Sequence, residues 1–363
     1  MLPATLLVAL AFIALVPLNT LNDDPTQYFD EDVEYRQAAD FTEAHLPGVR
    51  DLNFSLDCGL PGCIQDPAFL RAADQFTAWI ETQHKVESVF SFVDVLKRIN
   101  RNMHGDNPAM YTVPDSEALA AQYVLLYELS LPYGLDLGNQ VNFDKSAIRI
   151  TALLRKTTTW EFLDFEKNAN QWLQQNHPAL ASHGSSVWMM FSKLGESNML
   201  SMINGAFLAI VGVTLTICLA LRSLRYGLLS IVPNAFPAAI ALGIWAVTVG
   251  YVNMAVASIF SITLGIIVDD SVHFISKYRR AREQKGLDAE QAVHYAFSNV
   301  GAALVVTTAV LGLGFALLGT SSFNLNCHIG AMTAMTVVIA LVFDFMVLPS
   351  LILRMEANRD KRG

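Results

Sequence analysis

No lysine or arginine interrupts any long apolar run of this chain. Whatever those runs do inside a membrane, they do without an embedded cation. Charged residues are scarce throughout, 16% of 363, and acids outnumber bases to give a formal charge of −9. That balance argues against nucleic acid as a partner. No nucleophile–base pair, phosphate-cradling glycine loop or cluster of metal ligands occurs, so the sequence does not read as an enzyme, and no cofactor is expected.

What the chain has in quantity is apolar length. Hydrophobic residues make up 53% of it. Five apolar runs follow residue 198, at about 201–221, 227–250, 253–275, 298–318 and 328–353, each near the ~20 residues a membrane-crossing helix needs. Leu2–Leu18 is also apolar. It lacks a basic leader and a clear small-residue cleavage site, which favours an uncleaved first span over a signal peptide. Residues 21–200 hold 25 Asp+Glu against 13 Lys+Arg, and the rest of the chain holds 8 acids and 11 bases. Those 11 bases follow the second, fourth and sixth runs: Arg222 and Arg225; Lys277, Arg279, Arg280, Arg282 and Lys285; Arg354, Arg359, Lys361 and Arg362. The positive-inside rule puts all three groups in the cytoplasm, with Met1, and the acidic segment outside, with the turns Gly250–Asn253 and Gly319–Cys327.

The expected fold is therefore an α-helical membrane bundle of six transmembrane helices plus a large extracytoplasmic α+β domain between spans one and two. Its parts are span one (1–20), the exported domain (21–199), a five-helix bundle (200–355) and a cytoplasmic tail (356–363). Within the exported domain, residues 49–56, 86–93 and 147–154 read as strands. Helices are expected from an Asp66 cap through Ile80, and over 94–103, 116–129 and 158–175, the last with Trp160, Leu163, Trp172 and Leu173 on its apolar face. The alternation predicts β-α-β units. Cys58 and Cys63 flank a Pro-Gly turn and suit a local disulfide in an oxidising compartment; half a metal site is the rival, without a nearby His or second Cys pair. His104 and Asp106 sit in a turn-rich connector that reads as a solvated loop; a metal site is the rival, with only two ligand types where a stable site wants about four. Residues 276–297 are basic and polar, and are expected to lie as an amphipathic helix on the cytoplasmic face.

The chemistry concentrates in Gly265-Ile266-Ile267-Val268-Asp269-Asp270-Ser271-Val272-His273-Phe274. An acid inside a membrane span costs a few kcal/mol or more and is a functional hypothesis by default. Asp344 falls at similar depth in the sixth span and Asn234, between Pro233 and Pro237, in the third, with Thr307 and Thr308 near the middle of the fifth. Together these make one polar layer suited to a proton relay. His273 shares a helix face with Asp269 or Asp270 and extends the relay, caps its exit or is a plain interfacial histidine. Interhelical hydrogen bonding is the bland alternative for each acid. Gly265 is expected to permit close helix approach, and Pro233 and Pro237 to kink their span.

On these residues the chain resembles the resistance–nodulation–division (RND) transporters. One span, a large exported domain and five more spans match their half-repeat. Gly265-x-x-x-Asp269 is similar to their fourth-span motif, and Val268–Phe274 resembles the MMPL-type exporter branch, which shares a sterol-sensing-like bundle. The resemblance implies a proton role for Asp269, and for Asp270 beside it. It also implies alternating access, with export of hydrophobic or lipidic molecules across a bacterial cytoplasmic membrane. Two departures stand out. The chain has one half where relatives join two, which implies a homodimer, a separate second half or an inactive half awaiting a partner. It also lacks the lysine that drug-exporting relatives place among the relay acids. A lipid-sensing or scaffold protein with the same bundle is the alternative function.

Overall fold

The computed structural model describes residues 2–46 and 48–360, the last three by backbone alone. The Arg359 side chain, Lys361, Arg362 and Met1, all used in the topology argument, lie outside the described residues. The chain forms two compact units, one from 37–194 and one from 2–36 with 195–360. The first is narrower than the expected 21–199.

In chain order, α1 (Leu2–Ile13) and the short strand β1 (Thr20–Leu21) come first, and α2 (Glu34–His45) leads into the 37–194 unit. That unit is built on a three-stranded antiparallel sheet of β2 (Arg50–Asp57), β3 (Val86–Ser91) and β4 (Ala147–Leu154), in the order β2-β4-β3. Arg50 pairs with Leu154 and Asp57 with Ala147, while Ser91 lies opposite Ile150. β2 and β3 thus run parallel on either side of β4. With α3 (Pro67–Glu81) as crossover they form a split β-α-β unit. α3 starts where it does because Asp66 accepts from the Ala68 amide (2.9 Å) and Pro67 occupies the first turn.

α4 (Phe92–Met103) and α5 (Glu117–Ser130) are each capped by the preceding serine, Ser91 and Ser116. α6 (Thr159–Asn176) opens with a reciprocal capping box between Thr158 and Glu161. Period-2 residues of the sheet, Leu52, Phe54, Leu56, Ile150 and Leu154, meet period-3.6 residues of α3 and α6, Leu70, Phe76, Ile80, Phe162 and Leu173, all buried. Each such side chain contributes about 1.5–3 kcal/mol. Trp160 stands off that stripe and is exposed; Phe162, Phe165 and Ala169 form the apolar face with Leu173. Cys58 and Cys63 are disulfide-bonded across a turn in which Gly59 and Gly62 both take positive φ, +83° and +80°.

The second unit is helical: α7 (Val187–Ala220, of which 195–220 belong here), α8 (Leu224–Leu229), α9 (Ile231–Thr248), strand β5 (Tyr251–Val252), α10 (Met254–Lys285), α11 (Ala289–Ala296), α12 (Ala302–Leu318), α13 (Asn324–Val342) and α14 (Leu348–Asp360). Among the described residues, five helical stretches are long and apolar enough to cross a membrane: Val187–Ala220, Leu224–Thr248, Met254–Lys285, Ala289–Leu318 and Asn324–Ala357. The expected first span is not among them. It makes a 12-residue α-helix and then a separate 3-10 turn, Val16–Leu18, shorter than the ~20 residues a full crossing needs. It still packs into the bundle: a Cβ on Gly243 of α9 would collide with the Phe12 carbonyl, and the Asn19 amide bonds to the Leu242 carbonyl at 3.1 Å. Residues 20–36 are stitched to the same unit by the parallel pairing of β1 with β5. Bonds from the Asn324 amide to the Gln27 and Phe29 carbonyls add to this.

Residues 276–285 do not form a separate surface helix. They continue α10, because Tyr278 and Ala281 extend its buried stripe from Phe274 and Ile275 into a shared core with Leu348 and Ile352. Gly286, at φ +65°, ends the helix. Two π-helical turns interrupt the regular geometry. Phe297–Gly301 joins α11 to α12, and Phe343–Val347 joins α13 to α14.

Candidate functional site

Residues 269, 270 and 271 are consecutive on α10, so successive side chains point about 100° apart. Ser271 points inward and has no solvent exposure. Asp270 is half-buried. Asp269 faces out with its side chain 73% exposed and pairs at 3.2 Å with His273, one turn on and 59% exposed. The two acids of the motif therefore sit in different surroundings. Asp269–His273 is a surface pair on the outward stripe of α10, and Asp270 turns toward the interior.

The interior position is a three-helix polar cluster. The Ser271 hydroxyl lies 2.9 Å from Asn234 Oδ1 of α9 and 3.2 Å from Asp344 Oδ1. Asn234 is 3% exposed and Asp344 is fully buried. Asp344 sits within the Phe343–Val347 π-helical turn, a device that swings a side chain out of the regular 3.6-residue register and is frequent at functional sites. Its second oxygen, Oδ2, has no partner among the described residues. No lysine or arginine occurs in 226–276 or 286–353, so no basic side chain from these stretches neutralises the cluster.

α9 delivers Asn234 from its first turn, with Pro233 beside it. Pro237 lies inside the helix and cannot donate to the Pro233 carbonyl. Thr308 is buried, whereas Thr307 returns its hydroxyl to its own helix at Ala303 and Leu304. Gly265 does not bring helices together within this chain, since a Cβ there would meet nothing within 4 Å. It shares the outward stripe with Asp269 and His273. The close approaches fall instead at Gly243 and at Gly330, whose Cβ would run into Gly319 and the Phe315 carbonyl. His104 bonds to the Asn100 carbonyl at 2.7 Å, and no group of metal-ligating side chains forms among the described residues.

Ser271 was not among the residues the sequence singled out, although it adjoins them. The signal was available, because the buried stripe Leu264–Ile267–Ser271–Phe274–Tyr278 runs through the serine and not through Asp269. A second polar contact also went unread. Asn253, the cap of α10, bonds His328 of α13 at 3.0 Å, with the His328 ring edge-on to Trp245 and Tyr251.

Residues 184–358 match the model of the MMPL family, a range holding the whole three-helix cluster. A membrane protein of Methanocaldococcus jannaschii is 29% identical over 106 residues. That alignment covers 29% of this chain and 27% of the relative's length, so the chain spans about a quarter of that protein. Residues 184–358, just under half of the chain, are thus similar to the MMPL family.

Proposed function

We propose that the chain is a proton-coupled exporter subunit for hydrophobic or lipid-like solutes, and that Asp344, Asp270, Ser271 and Asn234 carry its proton step. One observation supports this most directly. Ser271 has a single hydroxyl proton and two acceptor oxygens within reach, Asn234 Oδ1 and Asp344 Oδ1. A proton on the Asp344 carboxyl supplies the missing donor, and its loss leaves a bare charge among packed helices. Proton exchange at this point must therefore be coupled to movement that admits water or changes helix contacts. The π-helical turn under Asp344 and the proline-interrupted α9 offer backbone able to move.

Asp269 and His273 take a different place in this reading. In hydrocarbon, a charged, outward-facing pair is costly unless covered. Together with the open space over Gly265, it marks the face of α10 that a second copy or a separate second half would cover, where Asp269 could join the proton path. By the positive-inside rule, this reading puts the basic loops on the cytoplasmic side of a bacterial membrane and residues 37–194 outside it.

The test is solute transport in proteoliposomes under an imposed pH gradient. Wild type should respond to the gradient and lose that response with a protonophore, and Asp344→Asn and Asp270→Asn should abolish it. Undiminished activity in Asp269→Asn would remove Asp269 from the relay. Solute accumulation indifferent to the protonophore would favour a lipid-sensing or scaffold role instead.

A further inference from the structure

At the basic end of the bundle, α8, α10 and α14 enclose a cavity of about 480 Å³, within the range of small-ligand sites. Four arginines line it: Arg222, Arg225, Arg279 and Arg282. They fall into two kinds. Arg279 and Arg282 are fixed. Arg279 bonds the Leu221 carbonyl and Glu283 and lies over the Tyr226 ring at 5.7 Å. Arg282 bonds the Leu287 carbonyl at 2.9 Å and Glu356 at 3.3 Å, and Glu356 also accepts from the Tyr226 hydroxyl at 3.1 Å. Arg222 and Arg225 are exposed, and neither side chain has a partner among the described residues. Arg222 also holds a left-handed backbone, φ +44°, uncommon for a residue with a side chain.

We propose that this cavity binds the phosphate of an anionic phospholipid headgroup from the adjoining leaflet. Two anchored guanidinium groups keep their orientation, and two unpaired ones supply the forked donors that match phosphate oxygens. The lining holds two carboxylates, Glu283 and Glu356, both already engaged by Arg279 and Arg282, so the free charge is that of Arg222 and Arg225. The position favours a lipid over a free anion. Arg222 follows the last residues of α7 and Arg225 opens α8, where a membrane-crossing helix reaches headgroup depth. Exposed Leu219, Leu224 and Leu228 beside them offer an apolar lip for the acyl chain. Basic pockets at this level between membrane helices are suited to such headgroups. The site rests on the reading that these helices cross a bilayer. Because Arg279 lies on the same continuous helix as Asp270, about 14 Å along it at 1.5 Å per residue, an occupied pocket would hold the base of the helix that carries the acid.

The experiment measures binding without transport, so its failure is separate from failure of the exporter reading. Purified protein in neutral detergent is melted while short-chain phosphatidylglycerol, short-chain phosphatidylcholine or inorganic phosphate is titrated in. The expected result is a saturable rise in melting temperature with phosphatidylglycerol alone. Arg222→Gln/Arg225→Gln should weaken the apparent affinity tenfold or more. Arg280→Gln, which removes one positive charge beside Arg279 but off the cavity, should leave it unchanged. An equal rise with phosphatidylcholine, an equal rise with inorganic phosphate, or an equal loss in Arg280→Gln would each overturn the proposal. If the double variant does not fold, native mass spectra of wild type decide: selective retention of the anionic lipid supports the site, and equal retention of both lipids overturns it.

Discussion

Each unit buries a polar network, around Asn100 in one and around Ser271 in the other, and the two networks are paired to different degrees. In the 37–194 unit, Asn100 and Glu166 are engaged on several sides and serve the fold, while Ser88 Oγ and Thr157 Oγ1 of the same unit have no partner among the described residues. Asn100, 3% exposed, donates to the Met110 and Thr112 carbonyls and accepts from Tyr123. Buried Glu166 accepts from the Gly184 amide and bonds His183. In the helical unit, the buried cluster of Asn234, Ser271 and Asp344 is short of a donor and leaves Asp344 Oδ2 without a partner. An unmatched polar atom costs about 1–3 kcal/mol and a buried charge more, and Asp344 stands apart as a fully buried acid. The difference is between a well-paired buried network and one that holds a fully buried acid with an oxygen left unmatched among the described residues.

Substitutions can break this comparison, and the largest effect should come from the apolar core of the first unit. Phe76 is fully buried against Phe54, Trp79 and Trp172. Phe76→Ala should cost ~3–5 kcal/mol. Four of the five tryptophans, at 79, 160, 172 and 188, lie in this unit, so denaturation followed by tryptophan fluorescence reads it selectively. Next comes Asp344→Asn, which should lower gradient-driven transport about a hundredfold or more, ~2.7 kcal/mol in rate terms. Its thermal stability should stay equal to wild type or rise, because a neutral amide relieves the unmatched acid. A large stability loss there would erase the contrast between the units.

Asn100→Ala, by contrast, should cost ~2–3 kcal/mol of stability by leaving two carbonyls and a tyrosine hydroxyl unpaired, with no change in the proton dependence of transport. Ser271→Ala removes the bridging hydroxyl and should slow transport about tenfold, ~1.4 kcal/mol, without unfolding the bundle. The smallest effect is at the α6 cap. The Thr158 amide holds the Glu161 carboxyl below its ordinary range, with Lys85 assisting against the opposing effect of partial burial. Its stabilisation is present above the unfolded carboxyl value and is lost as pH falls through the lower folded one. Glu161→Gln should therefore cost less than ~1 kcal/mol at neutral pH, and the gap to wild type should close in acid.

Most of the first unit was legible in the sequence because its signals are local. Period-2 runs over 147–154, an Asp, Ser or Thr before each of α3 to α6 and a short Cys–Cys spacing each name their own structure. What was not legible depended on packing. The antiparallel β4 between two parallel strands is a long-range pairing, and the continuation of α10 through Lys285 depends on where Tyr278 and Ala281 find partners. At the site, composition pointed to the right turn of α10, but the adjacent acids drew attention from the serine between them and the core. Which of three consecutive side chains faces inward follows from the apolar stripe that Leu264, Ile267, Phe274 and Tyr278 define. Asp344 carried a depth signal but no sign of its π-helical turn, which lies between α13 and α14.

The central claim is that a proton resides on Asp344 and leaves it during the transport cycle. Difference infrared spectroscopy of the reconstituted protein, on imposing and then dissipating a pH gradient, reads this directly through the carbonyl band of a protonated carboxyl group. The account predicts that the band changes reversibly in wild type and in Asp269→Asn, and vanishes in Asp344→Asn. A band that survives Asp344→Asn, or that does not respond to the gradient in wild type, would contradict it.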